Sequence, residues 1–261
     1  MKYGIIGCGN MGGSIARALS QKTKDILVTD RSGKAKDLAR ELGISYGSNE
    51  DAAASCDRIF ICVKPKMVAD VLKALHDTLL ERKPLLISIC AGVVLEALED
   101  ATDHALPVIR INPNTPIAVG KGLTQYCKND LVDEETLADW LSDMAACGAM
   151  DALDEGLIDA ASAVSGCGPA YAYMFMEALA DGAVACGLPR KKAYDYAAAM
   201  LAGAAEMVLK TGLHPGALKD AVCSPGGSTI QGVRKLEENG FRGAVMDCII
   251  AACEKNKTLG K

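Results

Sequence analysis

The chain has 261 residues, 50% of them hydrophobic and 23% charged, with a formal net charge of -5. That balance describes a globular protein of one large or two ordinary domains and excludes a disordered or fibrous chain. An acidic chain without a basic stripe interleaved with aromatics also excludes a nucleic acid as the main partner, though helix ends and loops remain open to small anions.

Aromatics make up only 4%, so the core is expected to consist mainly of Ala, Val, Ile, Leu and Met in a layered α/β or helical architecture. The 11 cysteines stand singly inside apolar runs such as Ile59-Phe60-Ile61-Cys62-Val63 and never as Cys-x-x-Cys. They read as small core residues of a reducing compartment. The longest apolar stretch, Leu85 to Leu95, contains Ser88 and Gly92 and falls short of the roughly 18 residues of a membrane span. A soluble cytoplasmic protein without a membrane partner is expected.

Tyr3 to Ile6 is β-prone and runs directly into Gly7-Cys8-Gly9-Asn10-Met11-Gly12, followed by Ser14 to Leu19 with helical spacing. Strand, Gly-x-Gly-x-x-Gly and helix in this order form a dinucleotide-binding fingerprint. The first glycine permits the tight turn, the second lets backbone approach a pyrophosphate, and the third lets helix pack on strand. A second strand, Ile26 to Thr29, ends at Asp30. An acid there accepts from a ribose 2′-OH and favours NAD, whereas Arg31 and Ser32 hold a 2′-phosphate and favour NADP. The signals conflict, because Asp30 can instead pair with Arg31 or Lys34 or cap the helix starting near Gly33. NADPH is the expected cofactor, with NADH as the alternative.

Alternation continues through helix Lys34 to Leu42, a strand near Ile44, a helix from Glu50 and strand Arg58 to Val63, which Lys64-Pro65 ends. Helix Met67 to Leu79, strand Leu85 to Cys90, turn Ala91-Gly92, a short helix to Leu98 and strand Val108 to Ile111 follow. Strands apolar on both faces imply a parallel sheet covered on both sides, with ligands at the carboxyl ends of its strands. Gly9 to Met11, Asn49, Lys64-Pro65, Ala91-Gly92 and Asn112-Pro113-Asn114-Thr115-Pro116 are therefore expected to line one crevice. A strand near Leu123 to Cys127, helix Asp133 to Ala146 and a strand near Ala149 to Leu153 complete a domain spanning residues 1–154.

From residue 155 to 261 the pattern is helical: Ile158 to Val164, Pro169 to Cys186, Arg190 to Leu209, Ala217 to Cys223, Ile230 to Asn239 and Ala244 to Lys257. Ala193 to Leu209 is apolar nearly all round, more than a region this small can bury alone, so a homodimer is expected. Between two of these helices lies Ser224-Pro225-Gly226-Gly227-Ser228-Thr229, a turn whose glycines free the backbone and whose N–H groups open a helix. Such a start is a helix cap and also an anion site.

A dinucleotide domain before a helical one suggests a reductase, yet the second part offers little acid–base chemistry. His76 and His104 lie in the first domain, His214 precedes Pro215 where capping is its natural role, and no His/Cys/Asp/Glu group has metal spacing. Helix Pro169 to Cys186 contains no lysine. Carbonyl reduction needs a proton donor for the developing alkoxide, whereas a protonated imine is already cationic and becomes a neutral amine.

Along nearly its whole length the chain resembles the pyrroline-5-carboxylate reductase family. The resemblance rests on Gly7 to Gly12, Val63-Lys64-Pro65, Asn114-Thr115-Pro116, Val164-Ser165-Gly166-Cys167-Gly168-Pro169-Ala170-Tyr171, and His214 to Asp220 running into Ser224 to Thr229. Cys167 stands where the family often has Ser, and Asp30 where an uncharged residue is common. The resemblance implies a Rossmann-type doubly wound domain followed by an all-helical dimerisation domain, and hydride transfer from NAD(P)H to 1-pyrroline-5-carboxylate, giving L-proline. It implies that Ser224, Gly226, Gly227, Ser228 and Thr229 hold the substrate carboxylate, that the Thr229 hydroxyl meets the ring nitrogen, and that dimers assemble further into a decamer. Cofactor contacts fall on Gly7, Gly9, Asn10, Met11, Gly12, Asp30, Arg31, Ser32, Asn49, Val63, Lys64, Pro65, Ala91, Gly92 and Asn114. Reduction of another cyclic imine, or non-catalytic dinucleotide sensing, are the alternatives.

Overall fold

The computed structural model describes residues 2–258. The first half alternates strand and helix: β1 (Tyr3–Ile6), α1 (Asn10–Leu19), β2 (Ile26–Thr29), α2 (Lys34–Leu42), β3 (Ser45–Tyr46), α3 (Asn49–Ser55), β4 (Arg58–Ile61), α4 (Val68–Arg82), β5 (Leu85–Ser88), α5 (Leu95–Asp100) and β6 (Val108–Asn112). After them come β7 (Gly122–Lys128), α6 (Glu134–Met144), β8 (Gly148–Ala152) and α7 (Ile158–Ser165). The eight strands form one sheet in the order β3-β2-β1-β4-β5-β6-β7-β8. Its first six strands are parallel, the Rossmann arrangement with its switch point between β1 and β4.

Side-chain alternation loads both faces of this sheet. Ile5, Val28, Phe60 and Ile87 pack with α1, α2 and α6 residues such as Ile15, Leu38 and Trp140. Ile6, Leu27, Ile59, Ile61 and Leu86 pack on the other face with Leu72, Leu75 and Leu98 of α4 and α5. Neighbours in sequence thus enter opposite cores, as a strand buried on both faces requires.

The parallel sheet expected from the apolar strands holds through β6 and changes direction at its edge, where β7 runs antiparallel to β6. Asn112 and Gly122 are joined through a single 3-10 segment, Thr115–Val119, a connection too short for the helical crossover that a parallel neighbour needs. β8 then pairs parallel with β7 after α6.

Compact contacts divide the chain into one unit that runs to Cys167 and resumes at Ala252, and a second, Gly168–Ala251. Change of secondary-structure type falls earlier, near residue 155, where the sheet ends and α7 begins. The second unit contains α8 (Gly168–Ala185), α9 (Arg190–Thr211), α10 (Pro215–Val222), α11 (Ser228–Glu238) and most of α12 (Phe241–Asn256). Little of it is internal: Ala180, Ala193 and Ala197 are buried, and α10, α11 and α12 have no buried residue. Met174 is 69% exposed, Val222 66% and Met246 60%, an apolar display that a lone soluble unit rarely carries. No helix among the described residues is long and apolar enough to cross a membrane.

At the amino ends of the strands, the buried Arg58 guanidinium donates to the Tyr3 hydroxyl at 2.8 Å and to Asp143 Oδ2 at 2.9 Å, with Asp139 also bonded to it. Lys2 Nζ reaches the same Asp143 oxygen at 2.7 Å. Burial opposes ionisation of Asp143, but hydrogen bonds from Lys2 and Tyr3 and the nearby Arg58 charge outweigh it and hold the carboxyl below its usual range. A depressed folded-state pKa adds stability above about pH 4, the unfolded value, and loses it as pH falls through the folded value. Asp143→Asn is expected to cost about 2 kcal/mol at pH 7 and to lose less than the wild type between pH 4 and 3, read from urea midpoints at each pH.

Candidate active site

The turn after β1 is closed by packing that admits no side chain. Gly7 has φ +102°, and a Cβ on it would lie 2.6 Å from the Cys62 carbonyl oxygen. A Cβ on Gly12 would lie 2.0 Å from the Gly7 carbonyl oxygen. A Cβ on Gly9, by contrast, would meet nothing within 4 Å. The first and third glycines therefore serve the fold, and the middle one faces open space at the start of α1. Gly9 is also the N-cap of α1 and supplies no side-chain bond, leaving the first-turn N–H groups for a ligand.

Beside this turn lies a groove of about 740 Å³, lined by Gly7, Gly9, Asp30, Arg31, Ser32, Lys34, Asn49, Val63 and Lys64 among others. These residues stand at the carboxyl ends of β1, β2 and β4. Asp30 is committed locally: Oδ1 accepts from the Gly33 N–H at 2.9 Å and Oδ2 from the Ser32 hydroxyl at 2.6 Å. Both oxygens thus shape the entry to α2, the capping alternative, while Arg31 and Lys34 are exposed at the rim. Asn49 Oδ1 accepts from Thr29 Oγ1 at 2.5 Å, and Ser48 caps α3 in a reciprocal box with Asp51. The Ser-x-x-Asp spacing 48–51 is the sequence signal for this rim, and it lies outside the glycine fingerprint.

The single crevice expected from strand ends divides. Ala91 and Gly92 line a smaller cavity with Arg110 and Asn112 at the ends of β5 and β6. Asn10 lines, with Gly9, a separate groove between α1 and α2. Met11 packs partly into the core, and Pro65 opens the 3-10 turn Pro65–Met67 before α4. Asn114 is 8% exposed and both ends of its amide are spent, Nδ2 on the Ser165 carbonyl at 3.0 Å and Oδ1 on the Leu123 N–H at 2.9 Å. Its side chain thus ties the connection after β6 to α7 and to β7, and each end of the amide keeps one further hydrogen-bonding position.

Cys8 and Cys62 line the groove, and Cys90 lines the smaller cavity. Burial, with the Asp30 charge adding, pushes Cys8 up to about 12, and burial likewise raises Cys62 and Cys90. All remain protonated near neutral pH and behave as small packing groups. All 11 cysteines are free, and no metal-binding group of His, Cys, Asp or Glu occurs among the described residues.

In the helical unit, the turn between α10 and α11 is exposed along Ser224 to Gly226, with Ser228 and Thr229 exposed at the start of α11. Gly226 has φ +72°, open to glycine and strained for other residues. The Gly227 N–H closes the turn on the Ser224 carbonyl at 3.0 Å, so this donor shapes the loop instead of remaining free. Gly227 is the N-cap of α11, supplies no side-chain cap, and the first turn carries no acid. Backbone donors and the helix dipole at Ser228 and Thr229 thus present an uncompensated positive end. Upstream, His214 Nδ1 accepts from the Gly216 N–H at 3.0 Å, the capping role expected of it.

Family models described as "Pyrroline-5-carboxylate reductase dimerisation" and "NADP oxidoreductase coenzyme F420-dependent" match residues 155–259 and 2–92. The chain is 42% identical to a pyrroline-5-carboxylate reductase of Escherichia coli, over 100% of this chain and 98% of that one. It is 40% identical to the Pisum sativum enzyme of the same name, over 98% and 95% of the two chains. Among solved structures, the Plasmodium falciparum pyrroline carboxylate reductase with NADP bound superposes with a TM-score of 0.88 at 34% identity, covering 100% of this chain and 98% of that one.

The glycine geometry separates binding from folding. Gly9→Val is expected to fold with a near-native melting temperature and to weaken NADPH binding at least tenfold in a fluorescence titration. Gly12→Val is expected to lose the folded state, because overlap at 2.0 Å has no relaxed alternative.

Proposed function

Because the chain belongs to the pyrroline-5-carboxylate reductase family, we propose that its Ser224–Thr229 turn receives the carboxylate and ring nitrogen of the substrate in that family's reaction. The reaction is hydride transfer from NAD(P)H to the imine carbon of 1-pyrroline-5-carboxylate, giving L-proline. Carrying the reading is the start of α11, open to an anion at Ser228 and Thr229, in a chain that matches reductases end to end.

The residues of the first unit fit a dinucleotide: Gly9 leaves room where a pyrophosphate approaches backbone, and Arg31, Ser32 and Lys34 stand at the ribose end of the groove. When bound, the nicotinamide cofactor supplies the hydride. Ser224 and the backbone donors of Ser228 and Thr229 hold the carboxylate and so orient the ring. The Thr229 hydroxyl accepts from the protonated imine and stays bonded to the nitrogen as it becomes a neutral amine. No strong acid is required, since the electrophile enters already protonated.

Residues 155–261 are proposed as the dimerisation and substrate-binding part, with the exposed apolar helices supporting self-association into dimers and then a decamer. The free cysteines support a reducing, cytoplasmic setting.

Thr229→Ala is expected to lower turnover about 10²-fold, the scale of one positioned polar group, with NADPH affinity unchanged. Steady-state rates with pyrroline-5-carboxylate and with a six-membered imine check both role and substrate; near-normal turnover in purified Thr229→Ala protein would overturn the assignment. Since both Asp30 oxygens already accept bonds within their own turn and Arg31 is the exposed cation beside them, Arg31→Ala is expected to raise KM for NADPH about tenfold and leave KM for NADH nearly unchanged.

A further inference from the structure

Two prolines interrupt the segment that follows β6. Pro113 and Pro116 have no N–H to give, so the ladder ends at Asn112 and backbone bonding beyond it is sparse, the Asn114 carbonyl accepting from Ile117 at 3.2 Å and the Pro116 carbonyl from Lys121 at 3.1 Å. Side chains add to this. The antiparallel register sets Asn112 opposite Gln125 on β7. Gln125 is 3% exposed, and its Oε1 accepts from Asn112 Nδ2 at 2.9 Å. The Ser165 hydroxyl lies 3.0 Å from the same Oε1 and 3.0 Å from the Ala161 carbonyl, donating its one proton to one of them at a time. Asn114, two residues on from Asn112, bonds the Ser165 carbonyl and the Leu123 N–H.

Gln125 is therefore the side chain on β7 that meets both the proline segment and the last residue of α7. An apolar residue would fill a buried strand position without needing partners. A primary amide there costs desolvation unless bonded, and once bonded it fixes the groups around it. Asn112 also lines the small cavity with Ala91 and Gly92 at the ends of β5 and β6. In a doubly wound sheet the strands β4 to β6 carry the second mononucleotide half, across the switch point from the groove at β1, β2 and β4.

We infer that Gln125 is a positioning residue for hydride transfer: through Asn112 and Ser165 it fixes the Asn112–Pro116 segment at the nicotinamide end of the crevice. The inference rests on the reductase reading and adds a residue to it from outside the sequence motifs. Turnover then depends on the hydrogen-bonded acceptor at 125, while affinity for the dinucleotide, held mainly at its adenosine end, does not.

Three variants test it, each assayed for kcat with pyrroline-5-carboxylate and NADPH, for NADPH dissociation constant by fluorescence titration, and for melting temperature. Gln125→Met keeps the volume and removes the acceptor. It is expected to lower kcat about tenfold, the scale of a small misplacement of reacting groups, with the dissociation constant within about twofold of wild type. Gln125→Glu keeps an acceptor oxygen and is expected to recover most of the loss. Ser165→Ala removes one hydroxyl and is expected to lower kcat about threefold.

Wild-type kcat in a folded Gln125→Met protein overturns the inference, as does a Gln125→Glu protein no better than Gln125→Met, or a parallel loss of kcat and NADPH affinity. If Gln125→Met does not fold, Ser165→Ala decides by the same two readouts, and unchanged kcat overturns it. Ser224 and Thr229 are intact throughout. A wild type that fails to turn over pyrroline-5-carboxylate therefore defeats the activity itself, and a loss confined to the variants does not.

Discussion

The Gly7 carbonyl leaves no space for a side chain on Gly12, and the cofactor end of the molecule follows from that contact. With α1 pressed against the end of β1, its first turn stands where backbone donors meet a phosphate, and the turn between them must take a positive φ at Gly7. The Cys62 carbonyl closes on Gly7 from the neighbouring strand, so β4 is locked into the same arrangement. Loss of this fit would displace the helix start, the groove beside it and the strand across the switch point together.

Polar side chains do comparable work at the other half of the sheet. There the chain reverses between β6 and β7 through a proline-rich connection, and the buried amides of Asn114 and Gln125 add side-chain bonds where the ladder ends. The two halves of the crevice are thus built by different physics: close backbone packing at β1, β2 and β4, and side-chain hydrogen bonds at β5 to β7.

Much of this was legible in the sequence, and the reasons are local. Gly-x-Gly-x-x-Gly carries its own context, since a strand must precede it and a helix must follow. Each apolar strand announced burial on both faces, and Pro65 marked a stop that the structure respects. The antiparallel β7 was not legible, because strand direction depends on connection length and not on the strand's own residues. The tie that Asn114 makes was not legible either, because its partner Ser165 lies about fifty residues later in the chain. Asp30 was ambiguous for a related reason: only the conformation of Ser32 and Gly33 decides whether its oxygens are free.

The second unit's five helices keep mainly alanines inside and set methionine, valine and isoleucine outward. A helical unit with so little interior of its own derives much of its stability from association, and subunits that bind only the folded form stabilise it by mass action. Protein concentration then becomes a thermodynamic variable of the fold. Dilution lowers the melting temperature of this half of the chain, while the sheet, buried on both faces within one subunit, responds far less.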